Sequence, residues 1–443
     1  MKNKFNIIIL TILLILGFVL NFLPHLDYDY PLHVDEWVHF TYSKHISDDS
    51  PLYFSDSGES LETGFHFLLA VLNLIGIPYL ILFKFFAGFL NVLISLGVFV
   101  LVRRIWTERA ALFSVLFITV LKSSVLLLGP MFVVPMAIGL FFIPIGLFLG
   151  LYCRRLLFLI IASLLIIHPP SAIALLILIN VYLIIERKDV KNLLFQQGLG
   201  LLISLPLYLP ILLRYQESTL DYLSFGAEPG FIFIPRFLGV LFTVLIVVGL
   251  FFLGNKRQYT FIVYPLVLLS LAILFYRYEL NILIPYRRAL MYLFEALAIF
   301  FGVGCSWIVS RFKVHRTAVL VVFILILLGI SVPGKIDSTG KVYHLIDDNE
   351  YDDFLWIKDN TNGKVLLDPW KAIAFTPIAE RGVYSRIPQG YNETYMNRNK
   401  EIYEFFKDKC TNNTLLNENR IDVVYGDCED KYRKLKDKVY VLY

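Results

Sequence analysis

The chain has 443 residues, of which 57% are hydrophobic and 17% are charged, so it is more apolar and less charged than an ordinary soluble domain. Runs of about 20 apolar residues recur, which is the length that an α-helix needs to cross a bilayer. The formal net charge of +4 comes from basic residues at segment ends and not from a basic stripe, which argues against nucleic-acid binding. The composition predicts a polytopic α-helical membrane protein.

About eleven segments are predicted to cross the membrane. They are residues 6–23, 79–102, 109–128, 131–152, 156–168, 171–185, 192–213, 235–253, 259–276, 285–309 and 316–332. The first begins like a signal peptide but lacks a small-residue cleavage site, so it is predicted to remain as an anchor.

Orientation follows from the basic residues in the short loops. If the N-terminus is cytoplasmic, every inner turn is basic. These turns contain Arg103, Arg104, Arg109, Arg154, Arg155, Arg187, Lys188, Lys191, Lys256, Arg257, Arg311, Lys313 and Arg316. The loop 24–78 and the residues after 333 are then extracytoplasmic.

This orientation requires that Gly64–Ile77 does not cross the membrane, and its 14 residues are too few for a typical span. We predict that it lies along the outer interface. Segments 156–168 and 171–185 are also short. Because His168 is followed by Pro169 and Pro170, which end or kink a helix, they are predicted to form a tight hairpin with His168 at the outer side.

Two adjacent carboxylates, Asp35 and Glu36, lie in the loop after the first segment, beside His33 and Trp37. Two adjacent carboxylates with flanking histidines are unusual so close to a membrane, and we interpret this loop as half of an active site. The alternative is a solvated acidic loop that only joins two membrane segments. Trp37, Phe40 and Tyr42 predict a short amphipathic helix at the membrane surface that holds these carboxylates.

The same loop is rich in acids and histidines, as some metal sites are. Its acids are Asp27, Asp29, Asp35, Glu36, Asp48, Asp49, Asp56, Glu59 and Glu62, and its histidines are His25, His33, His39 and His45. No spacing matches a structural zinc site. Oxygen ligands would suit Mg²⁺ or Mn²⁺, with Asp35 as the first candidate ligand, while packing and helix capping explain most of the histidines.

Several cations lie near the predicted outer side, against the usual charge bias. Arg287 and Arg288 begin segment 285–309, and arginine matches phosphate oxygens bidentately, so this pair is the candidate phosphate site. Snorkelling of the side chain to lipid headgroups is the alternative, and it is the interpretation for Lys122 and Arg236. Lys84, Arg214 and His168 are further candidates for binding a phosphate.

Glu295 is predicted about 15 Å deep in its helix. A carboxylate at such a depth is costly, so it is either functional, paired or protonated. The loop from Arg214 to Ile234 contains Glu217 and Asp221 and has several turn-forming residues. It is predicted to act as a mobile gate, and the alternative is a simple connector.

Residues 334–443 are densely charged and are predicted to form a separate small α/β domain, which leaves 1–333 as the membrane domain. Residues 351–360 read as a helix, and 364–367, 421–425 and 439–443 read as strands. Cys410 and Cys428 both fall here, on the side of the membrane where disulfides form, and are predicted to pair.

The segment HVDEWVHFTYSKHI (33–46) resembles the acidic first-loop motif of the GT-C superfamily of membrane glycosyltransferases, whose members use sugars linked to polyprenyl phosphates or pyrophosphates. Asp35 falls on the position of the functional carboxylate of that motif. The break at His168–Pro169 and the run Ile284–Arg288 also resemble archaeal members. The resemblance covers most of the chain.

The stretch from Trp356 to Lys371 resembles the start of the peptide-binding domain in the catalytic subunit of oligosaccharyltransferase. That family has the motif WWDYG, where this chain has LLDPWKAI with Trp370. The family's second acidic motif is absent here, because Leu128–Met131 contains no acid.

The resemblance implies transfer of a sugar from a polyprenyl (dolichyl) phosphate donor to a glycan, lipid or protein acceptor on the extracytoplasmic side. Asp35 would be the general base, Glu36 an assisting or acceptor-binding group, and Arg287 and Arg288 the phosphate clamp. The acceptor or gate candidates are Glu217, Asp221 and Trp370.

Two alternatives remain at this point. One is an oligosaccharyltransferase-like enzyme of protein glycosylation. The other is a transporter or flippase of lipid-linked sugars with Glu295 in its pathway, although transporters often contain internal repeats, and none is evident in the sequence.

Overall fold

The structure, a computed structural model, describes residues 2–48, 62–214, 234–255, 258–280, 282–312, 316–387, 393–428 and 432–441. Helices dominate residues 2–339. They are α1 Lys2–Phe22, α2 Val34–Asp48, α3 Thr63–Leu74, α4 Tyr79–Ile105, α5 Glu108–Thr119, α6 Pro135–Tyr152, α7 Leu157–Ile167, α8 Pro169–Glu186, α9 Val190–Arg214, α10 Ile234–Leu238, α11 Val240–Asn255, α12 Tyr259–Tyr278, α13 Tyr286–Ser310 and α14 Arg316–Thr339. The prediction of a polytopic α-helical membrane protein is confirmed.

Within the described ranges, eight helices are long and apolar enough to cross a membrane. They are α1, α4, α6, α8, α9, α12, α13 and α14. The other three predicted spans correspond to the shorter helices α5, α7 and α11. Helix α5 ends at Thr119 because the chain then forms a short bridged turn at Ser124 and Leu127, and His168 and Pro169 separate α7 from α8 as predicted.

Contacts divide the chain into two compact units, the first comprising Met1–Asp27, Ser60–Phe65 and Phe83–Val342, and the second Tyr28–Glu59, His66–Leu82 and Tyr343–Tyr443. In the first unit, α13 is the most buried of the long helices. Its glycines let neighbouring backbones approach: a Cβ on Gly302 would collide with the Ala110 carbonyl of α5, and one on Gly304 with the Leu245 carbonyl of α11. Small residues at such crossings are a common way for membrane helices to pack.

A buried lysine links three helices of the first unit. Lys335 on α14 is fully buried, and its Nζ donates to the Asn21 Oδ1 of α1 at 3.1 Å and to the Leu121 carbonyl after α5 at 2.7 Å. Asn21 in turn donates to the Gly17 carbonyl at 2.7 Å. Satisfying the ammonium with these oxygens offsets part of the cost of removing it from water.

The second unit contains a four-stranded sheet and several helices. Its strands are β1 Lys364–Leu366, β2 Ile421–Tyr425, β3 Arg433–Lys436 and β4 Val439–Val441, in the order β1-β2-β4-β3. Strands β1 and β2 run parallel, and the other neighbours are antiparallel. The accompanying helices are α15 Asp348–Asn360, α16 Lys371–Ala379, α17 Glu393–Lys407 and α18 Asn413–Glu418. The predicted small C-terminal α/β domain is confirmed, although β3 was missed because its sequence, RKLK, is charged.

Cys410 and Cys428 form a disulfide, as predicted, with their Cα atoms 5.5 Å apart. Both cysteines are fully buried among residues of the sheet and α17. Closing a loop of this length stabilises the fold by about 3 kcal/mol in the chain-entropy picture.

Candidate active site

Asp35 lies in the first turn of α2, and its side chain is about a third exposed (35%). Two reciprocal bonds cap this helix: the Asp35 amide donates to His33 Nδ1 at 3.1 Å, and the His33 amide donates to Glu36 Oε2 at 3.0 Å. This arrangement is a capping box with histidine in the role usually taken by serine or threonine. It holds the Asp35 backbone while leaving its carboxylate open to solvent.

Glu36 differs from Asp35 in its surroundings. It is fully buried, and its Oε2 also accepts a hydrogen bond from the Leu32 amide at 2.6 Å. A carboxylate that is occupied with backbone amides orients the start of α2. The sequence assigned both acids to chemistry, whereas these contacts favour a positioning role for Glu36.

Aromatic side chains lie beside His33, two residues before Asp35, within the second unit. The Tyr343 ring lies 5.5 Å from the His33 ring and 6.0 Å from the Trp370 ring, centroid to centroid, and the Tyr343 amide donates to the Leu32 carbonyl at 3.1 Å. Trp370 remains 38% exposed. The fold thus brings the predicted acceptor residue Trp370 toward the loop that carries Asp35, through a residue that sequence reasoning missed.

Trp370 owes its position to a turn at the start of α16. Asp368 Oδ1 accepts hydrogen bonds from the amides of Trp370 at 2.8 Å and Lys371 at 3.2 Å. An aspartate that binds the amides following it is a common way to begin a helix. The DPW sequence therefore has a local structural reason as well as the resemblance noted above.

The aromatic residues of α2 lie inside the second unit. Trp37 is fully buried and Phe40 is 7% exposed, and they contact Tyr30 and Tyr79. A helix is present where one was predicted, but packing inside the unit, which the sequence alone does not reveal, takes these two rings out of solvent.

An ion-pair network ties α2 to two other helices of the second unit. Glu380 Oε1, just after α16, lies 2.6 Å from Lys44 Nζ of α2 and 2.5 Å from Lys358 Nζ of α15. Burial alone would raise the pKa of the Glu380 carboxyl, but hydrogen bonds from Lys358 and Lys44 lower it overall. Lys44 also donates to the Pro377 carbonyl at 2.9 Å.

We expect Glu380→Gln to lower the unfolding free energy of the protein by about 1 kcal/mol at pH 7, because the group is partly exposed and its ion pairs are screened. Since the pKa of Glu380 is lowered in the folded state, this stabilisation is present at neutral pH and is lost as the pH falls below the unfolded value. Thermal unfolding of both proteins at pH 7 and pH 4 measures the difference. Glu404→Gln, an exposed acid paired with Lys400, is the control, and equal losses for both variants would contradict the role of Glu380.

A pair of buried histidines connects α2 and α3. His39 Nδ1 and His66 Nε2 are 2.9 Å apart, and the Tyr42 ring stacks on His66 at 4.9 Å. Burial lowers the pKa of His66 to about 3. A neutral ring is therefore built into the fold.

Acid should destabilise the protein through His66. The unfolded chain binds a proton at this ring near pH 6.5 and the folded chain does not until about pH 3, so stability is complete above pH 6.5 and falls below it. At pH 5.5 the loss in unfolding free energy is about 1.4 kcal/mol. The drop in melting temperature between pH 7.5 and 5.5 should be smaller in His66→Gln than in the wild type. His344→Gln, at an exposed ring of the same unit, should keep the wild-type drop, and an unchanged drop in His66→Gln would refute the prediction.

A second polar cluster lies in the first unit, around His168. Its Nδ1 is 2.6 Å from Ser171 Oγ, which is 2.7 Å from the Tyr292 hydroxyl. Its Nε2 is 3.6 Å from Glu62 Oε1, and the same oxygen lies 3.7 Å from the Arg288 guanidinium. His168 is almost fully buried (1% exposed), whereas Arg288 is 29% exposed. The cluster joins two predicted phosphate-site residues through Glu62, which the sequence offered only as one of nine loop acids.

The other predicted site residues lie on other elements or outside the described residues. Arg287 and Lys84 are half-buried on α13 and α4. Arg214 is the last residue of α9, and its side chain lies outside the described part of the chain, as do Glu217 and Asp221.

Glu295 lies inside the first unit, 6% exposed, on α13. It lines a cavity of about 30 Å³ together with Tyr264. Glu295 Oε1 and the Tyr264 hydroxyl have no hydrogen-bond partner within the described ranges. The cavity has room for a water molecule or two and not for a sugar.

The described residues do not fit a divalent metal site. None of their His, Cys, Asp and Glu side chains form a group of three or more that could hold an ion. Glu36 Oε2 accepts hydrogen bonds from two backbone amides, so this oxygen already has partners within the protein. The predicted Mg²⁺ or Mn²⁺ at Asp35 therefore enters none of the chemistry below.

No protein-family profile matches the sequence, and no curated protein matches it. Solved structures, in contrast, match this chain. The Archaeoglobus fulgidus oligosaccharyltransferase tethered with an acceptor peptide containing the NVT sequon matches with a TM-score of 0.60 and 13% identity, over 96% of this chain and 69% of that one. Oligosaccharyltransferase AglB of the same organism, in complex with an inhibitory peptide and a dolichol-phosphate, matches with a TM-score of 0.57 and 13% identity, over 96% and 69%.

ArnT from Cupriavidus metallidurans in the apo state matches with a TM-score of 0.55 and 13% identity, over 88% of this chain and 86% of that one. At such identity the likeness concerns the fold. AglB and ArnT are both GT-C glycosyltransferases. The chain therefore has the GT-C fold, with a likeness to the archaeal oligosaccharyltransferase.

Proposed function

We propose that this chain is a membrane glycosyltransferase that transfers a sugar from a polyprenyl-phosphate donor to an acceptor on the extracytoplasmic side. The observation that carries the proposal is the GT-C fold together with an accessible carboxylate, Asp35, on the first helix after the first predicted span. One of the similar proteins was solved with a dolichol-phosphate, which supports a lipid phosphate as the donor group. The basic inner loops support a cytoplasmic N-terminus and an extracytoplasmic C-terminal domain.

Asp35 is the general base. An acceptor hydroxyl attacks the anomeric carbon of the donor sugar while the Asp35 carboxylate takes the proton of that hydroxyl. The bond between the anomeric carbon and the phosphate oxygen breaks, and the sugar leaves on the acceptor oxygen. His33 and Glu36 contribute by capping α2 and so fixing the backbone of Asp35.

Arg288 stabilises the departing phosphate, with Arg287 beside it in the chain and His168 in the same cluster. The charge that develops on the leaving oxygen is already delocalised over a phosphate, so cationic donors replace a general acid. Lys84 and Arg214 remain candidates for further phosphate contacts. This division of roles needs no metal ion.

The acceptor side is assigned to Trp370 and Tyr343. An exposed tryptophan beside a tyrosine offers apolar faces against which a sugar ring or a peptide can pack. Glu217 and Asp221 are proposed to line a gate over the acceptor.

The test is a deletion strain analysed by mass spectrometry of its lipid-linked and transferred glycans. We expect one lipid-linked sugar to accumulate and one glycan structure to lose a residue. The wild-type chain should restore both, and the Asp35→Asn variant should not. Unchanged glycans and unchanged lipid-linked sugars in the deletion strain would contradict the proposal.

A second candidate is transfer to a peptide, as in protein glycosylation. The likeness to oligosaccharyltransferase structures over 96% of the chain favours it, as does the DPW turn before α16. Incubating the purified chain and its donor with a peptide that contains an Asn-x-Thr sequon separates the two: a glycosylated asparagine supports the peptide acceptor. The cavity beside Glu295 is too small for a sugar, so it offers no support for a flippase.

A further inference from the structure

One carboxylate oxygen has two nitrogen neighbours in the His168 cluster. Glu62 Oε1 lies 3.6 Å from His168 Nε2 and 3.7 Å from the Arg288 guanidinium. Glu62 is only 17% exposed, so it is held among these groups and is not a freely moving surface acid.

These distances correspond to ion pairs and are too long for hydrogen bonds. Arginine binds a carboxylate and a phosphate in the same way, through a planar fork of N–H groups that points at oxygen. The position of Glu62 Oε1 is therefore one where an oxygen anion is attracted by Arg288 and His168 together.

His168 is oriented independently of Glu62. It is held from its other side by Ser171 and Tyr292, and Tyr292 lies one turn after Arg288 on α13, on the same face of the helix. If Glu62 moves away, His168 keeps the partners that hold its ring. The carboxylate is the replaceable member of the cluster.

We propose that Glu62 is an internal counter-ion that occupies the anion position and is displaced by the donor phosphate. The proposal rests on the function given above, because it takes Arg288 as a phosphate ligand. Two anions cannot share the position without strong repulsion. Donor binding therefore has to break the ion pairs of Glu62, which weakens the binding of both the donor and the released polyprenyl phosphate.

This competition between Glu62 and the lipid phosphate promotes release of the product. The product of transfer is the lipid phosphate itself, and release of a product often limits turnover. A carboxylate that returns to Arg288 and His168 helps to expel that product. Uniformly tight binding of donor and product would lower the Michaelis constant without raising the rate.

The experiment measures binding of farnesyl phosphate, a short polyprenyl phosphate, to the purified full-length chain by titration calorimetry. Glu62→Gln keeps the shape of the side chain and removes its charge. We expect this variant to bind farnesyl phosphate about tenfold more tightly than the wild type, which corresponds to about 1.4 kcal/mol. Farnesol has no phosphate and should bind both proteins equally.

Controls separate this effect from a general change in charge. Asp337→Asn removes an exposed acid that pairs only with Lys341 in the described region and should leave the affinity unchanged. In an Arg288→Ala background, Glu62→Gln should gain clearly less than tenfold, because the partner of the carboxylate is gone.

The outcomes are distinct. If Arg288→Ala weakens farnesyl phosphate binding and Glu62→Gln strengthens it, the proposal stands. If Arg288→Ala weakens binding but Glu62→Gln leaves it unchanged or weakens it too, Glu62 orients the cluster and the counter-ion proposal is overturned while the function survives. If Arg288→Ala has no effect, the phosphate site itself is wrong, and both fail.

Discussion

Asp35→Asn should reduce the rate of sugar transfer by about 10²–10⁴, the usual loss when a general base is removed. The amide keeps the size of the carboxylate but cannot accept the proton. The Michaelis constant for the donor should change little, because Asp35 acts on the acceptor. Transfer by the purified variant, measured with a lipid-linked donor under saturating conditions, gives the loss directly.

Folding should survive the Asp35→Asn change. The Asp35 side chain is a third exposed, and its carboxylate lies 3.7 Å from His33 Nδ1, too far for a hydrogen bond. An unchanged melting temperature would show that the lower transfer rate comes from the chemical step and not from unfolding. Asp27→Asn, the same change at an exposed acid nearby in sequence, should keep full activity.

Glu36 provides the sharper comparison because it is the adjacent residue. Glu36→Gln retains an oxygen that can accept from the amides of Leu32 and His33, so it should lose less activity than Asp35→Asn. Glu36→Ala removes the cap of α2 and should lower stability by about 1 kcal/mol, as other lost caps do. If Asp35→Asn turned over at nearly the wild-type rate, another group would have to be the base.

Arg288→Ala should raise the Michaelis constant for the donor by roughly 10–150-fold, since hydrogen bonds to charged groups contribute about 1.5–3 kcal/mol. Arg288→Lys should recover only part of the loss, because an ammonium lacks the bidentate fork of arginine. Arg287→Ala and Arg287→Lys belong in the same series. We expect the larger effect at Arg288, whose guanidinium lies 3.7 Å from Glu62 Oε1 in the His168 cluster.

The competing explanation for these arginines is that they only anchor α13 in the lipid headgroups. In that case lysine should substitute fully and the donor constant should barely change at either position. Arg277→Ala, an exposed cation at the end of α12, is the control for loss of a membrane anchor. If the Michaelis constant for the donor stays at the wild-type value in the alanine and lysine variants of both Arg287 and Arg288, the phosphate clamp is ruled out.

Local features of this protein were readable from the sequence. Long apolar runs can satisfy their backbone groups in lipid only as helices, so the eight long helices could be predicted from hydropathy. The His168–Pro169 break followed from the missing amide of proline. Short β-branched runs predicted β1, β2 and β4, and the acidic motif drew attention to Asp35.

The element bounds were less accessible from the sequence. The segment 109–128 is apolar throughout, yet α5 ends at Thr119, because a turn beyond it uses backbone bonds between Ser124 and Leu127. Strand β3 is charged and forms because β4 lies beside it. Neither outcome has a signal in local hydrophobicity.

Only the tertiary structure decided which polar groups meet. Glu62 was one acid among nine in a loop, and its partners are distant in the chain: His168 lies between α7 and α8, and Arg288 lies on α13. Likewise, nothing in the sequence near Lys44 points to Glu380, and nothing near Asp35 points to Tyr343 or Trp370. Ion pairs and aromatic contacts of this kind carry no sequence period, because they depend on how helices cross and not on the spacing of residues along one helix. The sequence determined the helices and the candidate base; packing determined that Glu36 caps a helix and that one oxygen of Glu62 faces both His168 and Arg288.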